Sequence, residues 1–113
     1  MVTPEQVAPG QTLSVDVDGV PPAEAGPGVL VRALPGVPGV RTWVVDLAPG
    51  AEWPSLDVHE ACSEGYFVVS GEVVEGDRVH GPGTYVAFGP GTSHRPRTET
   101  GARVFGFNHD LPA

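Results

Sequence analysis

Two histidines and two carboxylates near the middle of the chain have the types and spacing of a metal site. Asp57 and His59 are separated by one residue, so in an extended strand both side chains project to the same face and can converge on one ion. Glu64 follows a short polar loop and can meet that ion from the returning strand. His94 follows a glycine- and proline-rich turn that would hold it at the start of another strand. The set suits zinc or non-haem iron(II), ahead of manganese or nickel.

The individual roles leave alternatives open. We predict His59 and His94 as metal ligands, because each lies in a segment with the spacing that ligation requires. Glu64 could ligate the ion or support a ligand histidine from outside the coordination sphere. Asp57 has a shorter side chain than histidine and could bind directly or through water. Tyr66 shares the face of Glu64, where substrate contact and structural hydrogen bonding are equally open. Tyr66 and Glu64 are the candidate catalytic groups for proton transfer.

Short strands joined by turns must position these residues. Apolar and alternating runs predict strands at residues 12–17, 29–34, 40–47, 57–59, 64–69, 72–74, 78–80, 84–88, 94–98 and 103–107. The 16 glycines and 13 prolines punctuate these runs, residues 20–28 read as a proline-rich loop, and no segment of ten residues has a helical period. We therefore predict one all-β domain over residues 1–113, a closed antiparallel β-barrel or jelly roll, with residues 1–10 as a loosely ordered arm. Trp43, Phe105 and Phe107 are expected in its core.

Composition limits the partners. The formal net charge of -8 argues against nucleic acid and anionic membranes, which both require a basic patch, and favours a small-molecule ligand. All six basic residues are arginine, so Schiff-base chemistry is excluded, and the single cysteine excludes an internal disulfide. No apolar run reaches the length of a signal or membrane segment, which predicts a cytoplasmic protein. We also expect a homodimer in which residues 12–17 pair across a twofold axis.

The spacing of the candidate ligands resembles the two motifs of the cupin superfamily. The first motif corresponds to Gly50, Asp57-Val58-His59, Glu64 and Gly71, and the second to Gly83, Gly89-Pro90-Gly91, His94 and Thr98. Asp57 replaces the first histidine of the family pattern, Gly89 a proline and Thr98 an asparagine. Residues 53–59 and 83–85 are most similar to small single-domain cupins related to the metal-binding domain of anti-sigma factors.

The resemblance implies a small barrel that holds a metal with open coordination positions. Cupins include dioxygenases, isomerases, lyases, polyketide cyclases and zinc proteins that form nitrogen-nitrogen bonds, and the resemblance does not choose between them. Our leading hypothesis is a metal-dependent enzyme that acts on a small polar molecule in the barrel mouth. The alternative is a metal- or ligand-binding sensor module without catalysis. A metal-free structural cupin is disfavoured, because most of the ligand pattern is present.

Overall fold

The computed structural model describes residues 6–110, in which ten β-strands and one short 3₁₀ helix make up the regular structure. The helix is Val17–Gly19, and the strands are β1 (Ala23–Gly26), β2 (Val29–Leu34), β3 (Val40–Leu47), β4 (Asp57–Val58), β5 (Cys62–Gly71), β6 (Val73–Glu75), β7 (Arg78–His80), β8 (Tyr85–Phe88), β9 (Ser93–His94) and β10 (Ala102–Asp110). The predicted all-β fold is confirmed. Among these residues no helix is long and apolar enough to cross a membrane.

The strands form one large antiparallel sheet and two small ones. The large sheet has the order β1-β2-β3-β10-β5-β8, whereas β4 pairs only with β9 and β6 only with β7. Isolated bridges from Arg97 to Glu52 and Val74 connect the segments around the small sheets. The hydrogen-bonded ladder therefore does not run continuously around the molecule, and the arrangement is a jelly roll that is open at its edges, in place of a fully closed barrel.

The alternation of β5 separates an interior face from an exterior face. Glu64, Tyr66 and Val68 are 7%, 3% and 0% exposed, whereas Phe67 and Val69 on the opposite face are 43% and 47% exposed. This is the assignment of faces that the period of two predicts. The core lies between the large sheet and the small ones and consists of Val29, Val45, Leu47, Ala51, Tyr66, Val68, Val73, Ala102 and Val104. Full burial of one such valine stabilises the fold by about 1.5–3 kcal/mol.

The strand predicted at residues 12–17 is wrong. A 3₁₀ turn begins where that strand should end, since the Asp16 side chain accepts a hydrogen bond from the Asp18 N–H at 3.2 Å and its carbonyl accepts one from Gly19 at 2.9 Å. A short acidic side chain that bonds its own backbone competes with a strand ladder. The Asp18 carboxylate also binds Arg103 at 2.7 Å, which lowers the pKa of Asp18 and fixes the turn against β10. The dimer interface predicted for residues 12–17 therefore has no strand to form it.

Other local predictions also need correction. The loop predicted at residues 20–28 contains β1, which pairs with β2. The strand predicted at residues 94–98 is reduced to the His94 end of β9, where Pro96 offers no N–H to continue a ladder. Phe105 and Phe107 were expected in the core, but they lie on the exterior face of β10, where Phe105 is 43% exposed and Phe107 packs over Gly65, because the interior face carries Ala102, Val104 and Gly106. Of the predicted N-terminal arm, residues 1–5 lie outside the described residues, and Gln6 forms a bridge with Gly36.

Candidate metal centre

The two motifs are joined by backbone pairing, which brings their histidines together. Asp57 on β4 lies opposite His94 on β9 in the antiparallel register. Next to this pair, the His59 N–H donates to the Thr92 carbonyl at 2.8 Å and the His59 carbonyl accepts from the Gly91 N–H at 2.6 Å. The glycine- and proline-rich turn before His94 therefore binds the His59 backbone, a contact that was not predicted. His94 follows the turn on a strand, as predicted, although that strand has only two residues.

Asp57, His59, Glu64 and His94 converge, with one potential ligand atom from each lying within 4.8 Å of all the others. Asp57 Oδ2 lies 3.1 Å from the Nε2 atom of each histidine. Glu64 Oε1 lies 3.4 Å from His59 Nε2, and its Oε2 lies 2.9 Å from His94 Nε2. Bonds of about 2.0–2.2 Å to one ion place neighbouring donors about 3–3.5 Å apart, so these separations fit a single metal ion.

The ring orientation of His59 directs a lone pair into this group. His59 Nδ1 lies 3.0 Å from the Thr92 hydroxyl oxygen, and that hydroxyl donates its own proton to the Gly89 carbonyl at 2.6 Å. The hydroxyl can therefore only accept from the ring, which places the proton on Nδ1 and leaves Nε2 as the donor to an ion. His59 is 1% exposed, so this orientation is held by packing as well as by hydrogen bonding.

His94 is oriented in the same way by a carboxylate that the sequence did not suggest. Its Nδ1 donates to Glu75 Oε2 at 2.9 Å, and the same oxygen accepts the Tyr66 hydroxyl at 2.7 Å. A carboxylate on the outer nitrogen fixes the tautomer of a ligand histidine and makes the inner nitrogen more basic. Tyr66, Glu75 and His94 thus form a hydrogen-bonded chain, which we call the Tyr66 chain, that leads from the core to the centre.

The electrostatics of the group favour a positive charge at its middle. Burial lowers the pKa of His94, but hydrogen bonds and charge from Glu64 and Glu75 outweigh it and raise that pKa to about 10. With both Nδ1 atoms used as donors, neutral rings would present two lone pairs to the oxygens of Asp57 and Glu64. Acceptors facing acceptors are stabilised by a cation between them, either a proton or a metal ion. The donor chemistry therefore fits a divalent metal.

The Glu64 carboxylate is held by a second hydrogen-bonded chain from the neighbouring strands. The Asn108 side-chain amide donates to Glu64 Oε1 at 3.2 Å, and the Trp43 indole N–H donates to the Asn108 oxygen at 2.7 Å. The Trp43 ring lies directly over Gly106, where any β-carbon would collide with it. Asn108 therefore holds the Glu64 carboxylate in position with its oxygens close to the Nε2 atoms of both histidines, where Glu64 could supply a ligand atom.

A cavity of about 540 Å³ leads to this group from the surface. Asp57, His59, Glu64, Tyr66 and His94 all line it, together with mostly apolar side chains from the large sheet. The side chain of Asp57 is 33% exposed, whereas those of His94 and Glu64 are 8% and 7% exposed. The volume lies within the usual range of about 300–1,000 Å³ for small-ligand sites. A small molecule can therefore reach the centre from the side of Asp57.

Three supporting residues were missed by sequence reasoning. Glu75 was placed only between the strands predicted at residues 72–74 and 78–80, and Thr92 and Asn108 were given no role. Each binds a residue of the centre that is 19 or more positions away along the chain, so local spacing does not reveal these contacts. Thr98, which stands where the family motif has asparagine, is 2% exposed and donates to the Glu72 carbonyl at 2.7 Å, so it supports a loop and does not contact the centre.

Comparison with known proteins identifies the fold. No protein-family model matches the chain, and no curated protein matches it. Among solved structures, it is similar to an RmlC-like cupin from Shewanella frigidimarina with a TM-score of 0.75, 17% identity and coverage of 89% of this chain and 93% of that one. A predicted oxalate decarboxylase from Thermotoga maritima has a TM-score of 0.74 and 18% identity over 88% of this chain and 100% of that one.

An anti-sigma factor complex is also similar. The structure of Rhodobacter sphaeroides SigE in complex with the anti-sigma ChrR contains a chain that matches with a TM-score of 0.73 and 18% identity. The match covers 84% of this chain and 52% of that one. Identities this low are informative about the fold alone. The cupin resemblance predicted from the two motifs is confirmed at that level.

Proposed function

We propose that this chain, which has the cupin fold, is a metal-dependent enzyme acting on a small molecule that enters its cavity. The observation that supports this proposal most directly is that the four-residue group of Asp57, His59, Glu64 and His94 lies on the wall of an open cavity of about 540 Å³. A structural metal site is usually closed by four protein ligands in a buried position, whereas catalysis requires access for the substrate. Access on the side of Asp57 supports the catalytic interpretation.

Zinc and iron(II) are the ions that we propose. Two imidazole nitrogens with one or two carboxylates match both the two-histidine, one-glutamate zinc enzymes and the two-histidine, one-carboxylate iron sites. When bound, the ion would supply Lewis acidity or, for iron, oxygen chemistry. His59, His94 and Glu64 would hold it from buried positions, and the more exposed Asp57 would bind it directly or through a water molecule.

Tyr66 is the proposed proton donor. Burial, followed by the hydrogen bond to Glu75, raises the pKa of the Tyr66 phenol above its usual range, so the hydroxyl stays protonated. Tyr66 also lines the cavity, so it would be placed to give its proton to a strongly basic oxygen, such as an enolate or alkoxide, that forms on a bound molecule. The proton that Tyr66 loses would be replaced through Glu75 from His94 Nδ1. Glu64 was a second candidate for proton transfer, and we assign it to ligation because Asn108 holds it with an oxygen 2.9 Å from His94 Nε2, beside the proposed ion.

Metal content and access can be tested together. Elemental analysis of the purified protein should find close to one zinc or iron per chain, and His94→Ala should lose it. In cobalt-substituted protein, added azide should change the visible absorption, because an open coordination position can accept it. Incubation with an extract of small metabolites, followed by mass spectrometry, should reveal a compound consumed by the wild type and not by His94→Ala. Stoichiometric metal that does not respond to azide would refute the enzyme.

A non-catalytic sensor or binding module is the second candidate. It is favoured by the likeness to the chain solved with SigE and ChrR, since that structure is a complex between proteins. Such a module would bind metal without consuming any metabolite. The metabolite experiment therefore distinguishes the two candidates, with the azide response as the check on access.

We retain the homodimer as a proposal, with a different surface. Tyr85, Phe67 and Phe105 are neighbours in register across β8, β5 and β10, and they are 57%, 43% and 43% exposed. This uncharged aromatic row allows two copies, each with a formal charge of -8, to approach without opposing acidic groups. Sedimentation of the wild type should show a dimer and Phe67→Asp a monomer. A monomeric wild type at high concentration would contradict the proposal.

A further inference from the structure

We propose that the ligand of this cavity combines a metal-chelating oxygen head carrying at most one negative charge with a flat, apolar body. The inference rests on the proposed function, namely that a divalent metal is held by the four-residue group. It goes further by stating which class of molecule can fill the space beside the metal. The class includes neutral or singly ionised diketones, enols and phenols with an aryl or alkyl substituent, and it excludes dicarboxylates and phosphates.

The walls of the cavity select the apolar body. Beyond the metal group, the lining is largely aliphatic and aromatic, including Val31, Trp43, Val45, Trp53, Pro96 and Val104. A purely polar substrate would leave these walls in contact with water or with unmatched polar atoms. An apolar body removes water from them on binding.

Both tryptophans of the chain lie on these walls. The Trp43 indole is held in place, because its N–H donates to Asn108 at 2.7 Å and its ring packs over Gly106. The backbone of Trp53 is fixed, since its N–H donates to the Pro96 carbonyl at 2.8 Å and its carbonyl accepts from Arg95 at 2.8 Å, and its side chain packs against the core. An indole ring that is already held favours a flat partner, because stacking on it costs little further ordering.

The charges around the cavity set the limit on the head group. Asp57 and Glu64 balance the two positive charges of a divalent ion, and Glu75 adds a further carboxylate behind His94. Arg41 is the one cationic side chain among the residues that line the cavity, and Asp110 already pairs with it at 3.0 Å. A second negative charge on the ligand would therefore meet a neutral or negative centre without a free counter-charge.

Three probes that form the same six-membered chelate ring separate these features. They are 1-phenylbutane-1,3-dione, pentane-2,4-dione, which lacks the phenyl body, and malonate, which carries two negative charges. Affinities are measured by calorimetry on zinc-loaded protein, with zinc retention checked by elemental analysis. We expect the phenyl diketone to bind at least tenfold more tightly than pentane-2,4-dione, and malonate to bind most weakly. Tryptophan fluorescence, corrected for absorption by the probe, should change on binding, since both tryptophans line the cavity.

A pair of variants locates the apolar body. Trp53→Ala should weaken binding of the phenyl diketone at least fivefold and leave pentane-2,4-dione unchanged, whereas Val69→Ala, on the exterior face of β5, should change neither. Equal affinities for the two diketones, or tightest binding of malonate, with zinc fully retained would overturn this inference and leave the proposed metal site intact. Failure of the wild type to hold zinc or iron would overturn both.

Discussion

Glu75 offers a sharp test of the proposed metal centre, because it would act on a bound metal through His94. Its Oε2 accepts hydrogen bonds from His94 Nδ1 at 2.9 Å and from the Tyr66 hydroxyl at 2.7 Å, and its side chain is 12% exposed. Glu75→Ala removes the acceptor of both hydrogen bonds and frees the His94 ring to rotate. Glu75→Gln keeps the shape and a neutral acceptor oxygen, so it should produce a smaller effect.

The expected size follows from the contacts. Loss of a carboxylate behind a ligand histidine typically weakens metal binding by about 10- to 100-fold, which corresponds to about 1.4–2.7 kcal/mol. Glu75→Ala also leaves two buried donors without an acceptor, at a cost of about 1–3 kcal/mol each in the free energy of unfolding. For a domain of this size, each 1 kcal/mol lowers the melting temperature by about 4 °C. Chelator competition measures the metal affinity, and calorimetry measures the melting temperature.

The control is Glu60→Gln, which removes an exposed charge from the loop next to His59. It should change the zinc affinity less than threefold, because exposed charges are strongly screened. Wild-type zinc affinity in Glu75→Ala would refute the role of Glu75 in orienting His94. Equal losses in Glu75→Ala and Glu60→Gln would show that net charge, and not the Tyr66 chain, controls binding.

Further predictions concern the metal group itself. Elemental analysis of His59→Ala and His94→Ala should find no bound metal, with circular dichroism still showing a β-fold, since the core is apolar; stoichiometric metal in His94→Ala would eliminate the site. If Asp57 is a direct ligand, Asp57→Ala should lose metal affinity as strongly as Glu64→Gln; unchanged occupancy with impaired turnover would instead assign Asp57 to substrate or water. Asp57→His should retain metal with altered reactivity. In the metal-free protein, the pKa of His94 is raised from 6.5 in the unfolded state to about 10 in the folded state. The stabilisation of the fold by protonated His94 is therefore complete below pH 6.5 and is lost as the pH rises toward 10. Zinc must displace that proton, so the rise in melting temperature on adding zinc should grow over the same interval, and thermal scans showing a constant rise would contradict this.

Patterns of a few consecutive residues were sufficient to predict most of the strands and the candidate metal ligands. β2 and β3 occupy the residues predicted from their apolar runs, and the exposed and buried faces of β5 follow from its alternation. Asp57, His59, Glu64 and His94 were grouped from motif spacing, and the fold brings them within reach of one ion. These features depend on the period of two in a strand and on short turns, which are properties of a few consecutive residues.

Residues 12–17 show where the same reasoning is insufficient. Their alternation is as regular as that of β5, yet a strand also needs a partner ladder, and Asp16 offers the backbone a turn instead. The prediction that Phe105 belongs to the core failed for a related reason. The chain alone does not specify which face of β10 is interior, because that depends on the sheet against which it packs.

The sequence by itself determined the class of fold and the residue types of the candidate metal ligands, because both are encoded in short-range spacing. Only the tertiary structure decided which atoms support that group. Glu75 reaches His94 across 19 positions and Asn108 reaches Glu64 across 44, each through the packing of separate strands. Contacts at such separations leave no periodic signal in the chain, yet they fix the tautomers of the histidines and the hydrogen bond of the Tyr66 hydroxyl.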